Sequence, residues 1–444
     1  MANSYLTRTP SSTGNNQKFT ISCWLKRSGL GSQEIFTNAY YAQSDNGYLS
    51  ARFVNDNIEL TGWATAWRVT NAKFRDVSAW YHVVIAIDTT LATAGDRIKI
   101  YVNGSQITSF STSNNPSQNH NFPFNTASFV QDVGCNNYGS GRTQFFNGYI
   151  SHYAQVDGQQ LAPTVFGETD STSGIWKFKS PSGVSWGTNG VHLKFENSGA
   201  MGTDSSGNSN TYTVGGNLKQ ALDTPSNVYC TVNPLDNYHS SSTLTNGNTT
   251  VATGSGSPSW SYITSTLGVN KGKWYWEVKD TTSNSSIIGF ASKLATANND
   301  QLGESACQWG VQENGRIRSA ASDIAAVGTF TYGQNDIVGF ALDCDNNKIY
   351  VSVNGTYGNS GNPSTGANGI TITAPDASGG TGWYFPAFSD GNTTSDTYHC
   401  NFGNGFFGTT AITSAGSNGN GSLFEYDVPS GYYALNTNNL NTYG

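Results

Sequence analysis

Glycoside hydrolysis generally needs two carboxylates about 5 to 9.5 Å apart, one on each side of the bond that breaks. Same-face neighbours on a strand, i and i+2, lie about 7 Å apart, so an acidic pair at that spacing would be the simplest signature of such an enzyme. None of the eight glutamates (Glu34, Glu59, Glu168, Glu196, Glu277, Glu304, Glu313, Glu425) has another within that spacing, and the one aspartate pair, Asp343 and Asp345, falls at a turn. Cross-strand carboxylates stay open, which keeps a glycan depolymerase as the enzymatic rival.

Other strings imitate catalytic signatures without their structural setting. Gly183-Val184-Ser185-Trp186-Gly187 has the form of a nucleophile elbow. That device depends on a strand-to-helix turn, and no helix pattern follows it. Gly403-Asn404-Gly405-Phe406-Phe407-Gly408 has the spacing of a dinucleotide loop but lacks the βαβ context that aims a helix N-terminus at pyrophosphate. Asp343, Asp345 and Asn347 begin like a calcium loop, yet Lys348 stands where glycine is needed and no glutamate closes it. The six histidines are isolated, and His82, inside a strand pattern, reads as a satisfied sheet imidazole. We expect no catalytic residue, no metal ligand and no cofactor.

What remains is binding chemistry. Sugar rings present apolar C–H faces that stack on aromatic side chains, while amides and carboxylates take their hydroxyls. Trp63 and Trp67 lie in GWATAW between two strand signals, and Tyr40, Tyr41 and Tyr138 lie in polar loops. These five are the candidate ligand-binding residues. Taken singly, each of the two tryptophans fits core packing better. Trp80, Trp274, Trp276 and Trp383 are assigned to packing outright.

The elements that must position them are strands. Short alternating or aromatic-rich runs are cut every 8 to 15 residues or so by Gly, Asn, Ser or Pro, and no amphipathic helix exceeds two turns. The first region carries FTISCWLKR (19–27), GYLSARFV (47–54), WYHVVIAID (80–88) and DRIKIYVNGSQIT (96–108). Asn103-Gly104 sits between strands as a type I′ hairpin requires. The third run is apolar on both faces, which places it centrally in a packed sheet. A later region repeats the pattern with KGKWYWEVKD (271–280), IIGFAS (287–292), DIVGFALDCDNNKIYVSVNGTYG (336–358) and WYFPAFSD (383–390).

A length of 444 residues exceeds the roughly 250 to 300 that one hydrophobic core supports, so two domains are expected. Only 11% of residues are charged while 13% are aromatic, the reverse of a disordered chain. The formal charge of -7, from 29 acids and 22 bases without a basic stripe, makes nucleic acid a poor partner. No apolar stretch approaches 18 residues, and Met1-Ala-Asn-Ser-Tyr5 lacks the features of a signal peptide, so membrane insertion and export by that route are not expected. Six scattered cysteines without a CxxC pair read as free thiols, mostly in strands.

On Trp80-Tyr81-His82-Val83, Asp88, Lys99-Ile100-Tyr101-Val102-Asn103-Gly104 and the closing FFNGYISHYAQVDGQQLAPTVFG (145–167), residues 1–168 resemble the laminin G-like, concanavalin A-like lectin family. On GKWYWEV (272–278), IIGFA (287–291), DIVGFALD (336–343), KIYVSVNG and WYFPAF (383–388), residues 240–402 resemble SPRY domains. The resemblance implies two antiparallel jelly-roll β-sandwiches in tandem. They are joined by a Gly/Ser/Asn-rich segment, 169–239, that docks rather than floats, and are followed by an extension, 403–444, packed on the second sandwich. GTDSSGNSNTYTV (202–214), DTPSNVYCTVNPL (223–235), NFGNGFFG (401–408) and VPSGYYALNTNNL (428–440) look like segments flanking such domains in structural proteins of marine tailed bacteriophages. This implies a virion address, with the chain made in the host cytoplasm. The expected function is non-enzymatic: a surface or tail-fibre protein that binds host-surface glycan or another envelope component through its loops. The alternative is a purely structural decoration or connector whose partners are other virion proteins, since SPRY domains commonly bind polypeptides. Self-association is left open.

Overall fold

A computed structural model describes residues 3–238, 242–254, 261–292, 301–391 and 395–444. Strands take up 42% of the chain and helices 4%, and the chain divides into two compact units, Met1–Gln220 and Ala221–Gly444. That boundary falls inside the stretch 169–239 that composition marks as connecting: its first 52 residues belong to the first unit and its last 19 to the second.

In the first unit two antiparallel sheets face each other. One orders its eight strands as Phe110–Ser113, Ala66–Lys73, Asn57–Thr61, Tyr48–Val54, Glu34–Tyr40, Val130–Val133, Tyr5–Arg8 and Thr213–Gly215. The other runs Val191–Leu193, Gly148–Asp157, Lys18–Arg27, Tyr81–Asp88, Ile98–Val102 and Ser105–Gln106. The strand Tyr81–Asp88 is central, as its two apolar faces require. Alternation decides which side chains meet. Phe19, Ile21, Cys23 and Leu25 point inward against Phe36, Leu49, Ala51 and Phe53 of the opposing sheet, and all eight are buried. Asn103 and Gly104 both take positive φ, 48° and 80°, and turn the hairpin that joins Ile98–Val102 to Ser105–Gln106.

Inside this sandwich Arg27 is fully buried. Its guanidinium meets Asp56 at 3.0 Å and Glu34 at 3.5 Å, donates to the Phe74 carbonyl at 2.7 Å, and lies over the Phe53 ring. Burial pushes the Glu34 carboxyl up to about 7 against the pull of Arg27. One acid begins the strand Glu34–Tyr40 and the other lies in the turn at 55–56, a pairing that spacing along a single strand leaves undetected. Both acids are closed off by the arginine, with Glu34 2% and Asp56 5% exposed.

The second unit repeats the two-sheet plan. Val232–Asn237, Tyr262–Ser265, Phe385–Asp390, Ser286–Ala291, Gln308–Gln312, Ile317–Ser319 and Ser322–Ala325 form one sheet. Thr243–Thr245, Thr250–Ala252, Thr397–Asn401, Lys273–Asp280, Ile337–Asp343, Lys348–Val353 and Thr356–Tyr357 run in order across the other. On Lys273–Asp280, Trp274, Trp276 and Val278 enter the core, where Trp276 stacks on Phe340 at 5.0 Å. The alternate residues Tyr275 and Glu277 face outward and are covered by the chain beyond residue 403. There Phe424, Val428, Tyr432 and Ala434 bury Tyr275 and Ala341 in a separate apolar cluster. Glu277 accepts backbone N–H groups from Glu425 and Tyr426 at 2.9 Å each, the Tyr275 hydroxyl at 3.0 Å and the Asn401 amide at 3.4 Å.

Three details depart from the sequence reading. Trp383, assigned to packing, is 47% exposed, because it precedes the strand Phe385–Asp390 and escapes its alternation. All six cysteines are free and buried, but only Cys23 and Cys400 lie within strands. Tyr40 closes the strand Glu34–Tyr40 instead of lying in a loop.

Candidate functional site

The strand Tyr48–Val54 buries Leu49, Ala51 and Phe53, so Tyr48, Ser50 and Arg52 must share its outer face. Next to it Asn57–Thr61 ends in the turn that carries Trp63. Asp45 holds that turn, accepting the Ala64 and Thr65 N–H groups at 2.8 and 3.2 Å and the Thr65 hydroxyl at 2.6 Å. Burial raises the Asp45 carboxyl, but these hydrogen bonds outweigh it and hold the group below the usual carboxylate value. Gly62 is needed because a Cβ there would fall 2.5 Å from Asp45 Oδ1.

From the other side Tyr138 leans in from the short hairpin that joins Asn136–Asn137 to Arg142–Thr143. Tyr48 and Tyr138 stack at 5.6 Å and 23°, and Trp63 stands edge-on to both, at 5.8 and 5.7 Å. With Gln33, Arg52, Thr61 and Gly62 these rings line an open depression of about 370 Å³. Trp63 is 39% exposed there, while Tyr48, the floor, is 2% exposed. Beneath lies a polar network: Tyr48 donates to Asn136 at 3.0 Å, Asn136 donates to Gln144 at 2.8 Å, and Gln144 donates to Gln33. Arg52 is fixed by Glu59 at 2.9 Å. An aromatic wall with fixed amide, hydroxyl and guanidinium groups around it can hold a ring that offers one apolar face and a rim of hydroxyls.

Of the five residues proposed from sequence, the structure brings Trp63 and Tyr138 together. Tyr40 lies cross-strand from Tyr48 and packs on Gly139, in support of the loop that carries Tyr138. Tyr41 is 60% exposed but stacks on Phe129 at 4.4 Å, outside the depression. Trp67 is displaced from the site altogether. The pairing register shifts between Leu60 and Thr61, and this irregularity turns Trp67 inward, 6% exposed, edge-on to Phe122 at 5.6 Å. Tyr48, Arg52, Thr61 and Gln33 were missed. The alternation of GYLSARFV was the available signal for the first two.

The second unit has a larger open groove, about 580 Å³, between the turns at 355–364 and the chain at 418–430. Glu425 and Asp427 line it with Tyr357 and Tyr426. Hydrogen bonds from Ser417 hold the Asp427 carboxyl below its usual value, the opposite of what a general acid needs.

Residues 1–159 match the family described as the concanavalin A-like lectin/glucanases superfamily, and residues 273–404 match the SPRY domain. Both halves are concanavalin-type β-sandwiches. Similar solved structures include a SAP-like pentraxin from Limulus polyphemus (17% identity, 36% of this chain and 71% of that one, TM-score 0.29) and the SPRY domain of human HERC1 (13%, 36% and 91%, 0.27). Stonustoxin is similar at 16% identity over 39% of this chain, with a TM-score of 0.27. The match spans 27% of the stonustoxin chain. No curated protein matches the sequence. Lectin-like and SPRY domains place the chain among β-sandwiches that bind carbohydrate or protein. Among the described residues no helix is long and apolar enough to cross a membrane, which leaves strand-built spans aside.

Proposed function

We propose that the protein is a non-enzymatic virion surface or tail-fibre component of a marine tailed bacteriophage, and that it binds host-surface glycan through the depression lined by Trp63 and Tyr138. The observation that carries the reading is that depression itself: one exposed indole set edge-on to two stacked phenols, with Gln33, Thr61 and Arg52 on the rim. Its lining residues include no carboxylate, whereas glycoside cleavage requires a pair. The virion setting is supported by the resemblance of the flanking segments 202–214, 223–235, 401–408 and 428–440 to segments of phage structural proteins. A connector that binds other virion proteins is the second reading, favoured by the groove between 355–364 and 418–430 on the SPRY-like unit.

The test is Trp63→Ala, measured for binding to host cells or isolated host polysaccharide and, in parallel, for thermal unfolding. Loss of a stacking aromatic should weaken binding about five- to thirtyfold, from about 1 to 2 kcal/mol, with an unchanged midpoint. Binding equal to that of the parent would remove this site, and release of reducing ends from the polysaccharide would overturn the non-enzymatic reading.

A further inference from the structure

The six-stranded sheet of the first unit has an outer face that its own alternation makes apolar. His82 and Val84 from Tyr81–Asp88 lie beside Ser22 and Trp24 from Lys18–Arg27, followed by Ala154 and Val156 from Gly148–Asp157 and His192 from Val191–Leu193. Such a face must be covered. Residues 161–187 do so: Leu161, Val165, Phe166, Val184 and Trp186 pack on Val84, Ala154 and Val156.

Each of the three histidines on this face also meets one aromatic ring from that segment. Trp176 stacks on His82 at 6.0 Å and 17°, Phe178 on His152 at 3.6 Å and 12°, and Trp186 on His192 at 5.6 Å and 14°. Trp24 stacks on the other side of His82 at 4.7 Å. Gly104 and Gly167 make room for Trp176, since a Cβ on either would fall within 2.6 Å of its ring.

One of these contacts has a polarity. The Trp176 indole N–H donates to His82 Nδ1 at 3.0 Å, so Nδ1 carries no proton. Nε2 lies 2.8 Å from the Ser22 hydroxyl and therefore holds the single ring proton. We propose that residues 161–187 are an acid-released strap over this sheet face, with His82 as the latch. A second proton can enter only at Nδ1, where it sets an N–H against the N–H of Trp176 and breaks the tie.

The surroundings favour this outcome. His82 is packed by Ser22 and Trp24 from one strand and by Trp176 from the strap, and burial holds its basicity down to about 3. Beyond burial, His192 and Lys194 oppose a proton on His152, and Lys194 opposes one on His192 while Asp204 favours it. Burial lowers both, each to about 4. The strap keeps its own hairpin in acid: Lys177 pairs with Asp170 at 3.0 Å, and hydrogen bonds from Ser173 and Lys177 hold that carboxyl well below its usual value. It should lift as a unit.

The experiment is hydrogen–deuterium exchange on the full chain at pH 7 and pH 4, corrected for the intrinsic pH dependence of exchange. A histidine that titrates near 6.5 when released and near 3 when latched raises the opening equilibrium on the order of a hundredfold at pH 4. Peptides spanning 167–187 should show that gain while Lys18–Arg27 and Tyr81–Asp88 stay protected. In His82→Gln the gain should fall at least tenfold. Trp176→Phe keeps the ring, removes the donor and should blunt the response likewise, which decides the matter should His82→Gln fail to fold. Equal protection of the strap at both pH values, simultaneous loss from strap and sheet, or a wild-type response in Trp176→Phe would each overturn the latch.

Discussion

Glu277→Gln should be among the most damaging conservative substitutions in the second unit. Glu277 is fully buried and receives four donors, two on each oxygen: Tyr426 N–H and the Tyr275 hydroxyl on Oε1, and Glu425 N–H and the Asn401 amide on Oε2. Three of these four partners can only donate, while the Tyr275 hydroxyl can also accept. Asn401 cannot turn its amide over, because its oxygen already accepts from Gly403 and Gly405. With its NH₂ at the Oε2 position a glutamine strands two donors, whereas at Oε1 the Tyr275 hydroxyl can turn to accept and only the Tyr426 N–H is left unpaired. A buried donor left unpaired costs about 1 to 3 kcal/mol, and the lost charge-assisted character is offset because a neutral glutamine is spared the burial of a charge, so we expect about 1 to 3 kcal/mol. Burial pushes the Glu277 carboxyl up to about 7, so urea unfolding at pH 8 samples the ionised group. Exchange protection of 424–434 should fall with the midpoint, because two of the four bonds come from Glu425 and Tyr426 in that stretch. A loss under 1 kcal/mol, or full protection of 424–434 in the variant, would refute the reasoning.

Trp67→Ala should cost about 3 to 5 kcal/mol of stability as a core truncation, while any glycan affinity per folded molecule is retained. An unchanged melting midpoint would contradict its burial. His82 supplies a pH dependence of opposite sign to that of a group stabilised by protonation. Its folded value of about 3 lies below the ordinary 6.5, so its stabilising contribution is complete above pH 6.5 and is lost as the pH falls toward 3. The slope due to this one group should approach about 1.4 kcal/mol per pH unit in that window, and His82→Gln should remove it from unfolding curves taken between pH 4 and 7.

What sequence revealed and what it concealed separate along physical lines. Strands, hairpin turns and inward faces were legible because each is set by local spacing: Asn103-Gly104 turns where both residues accept positive φ, and Trp274, Trp276 and Val278 enter the core at every second position. The depression was half legible. GWATAW announced an aromatic segment, but only the pairing register sends Trp67 inward and leaves Trp63 out. Tyr138 reaches the site across 75 residues of chain, and no spacing rule reports that. The carboxylates Glu34 and Asp56 escaped for the same reason, since Arg27 gathers one from a strand and the other from the turn at 55–56. Trp383 was misread because WYFPAF looks like one strand, whereas Tyr384 bridges Val269 and only Phe385 onward joins the sheet, leaving Trp383 outside.

The covering of Glu277 bears on the order in which the second sandwich can be completed during synthesis. Its two backbone donors lie 148 and 149 residues further along the chain. When Lys273–Asp280 leaves the ribosome it therefore carries a carboxylate whose partners are not yet made, and pairing with Ile337–Asp343 alone leaves that outer face wet. At about 5 to 20 residues per second the wait is on the order of 7 to 30 seconds. Nascent chains shorter than about 426 residues should thus hold the second unit open to proteases and chaperones, even though nearly every strand of both its sheets has already emerged.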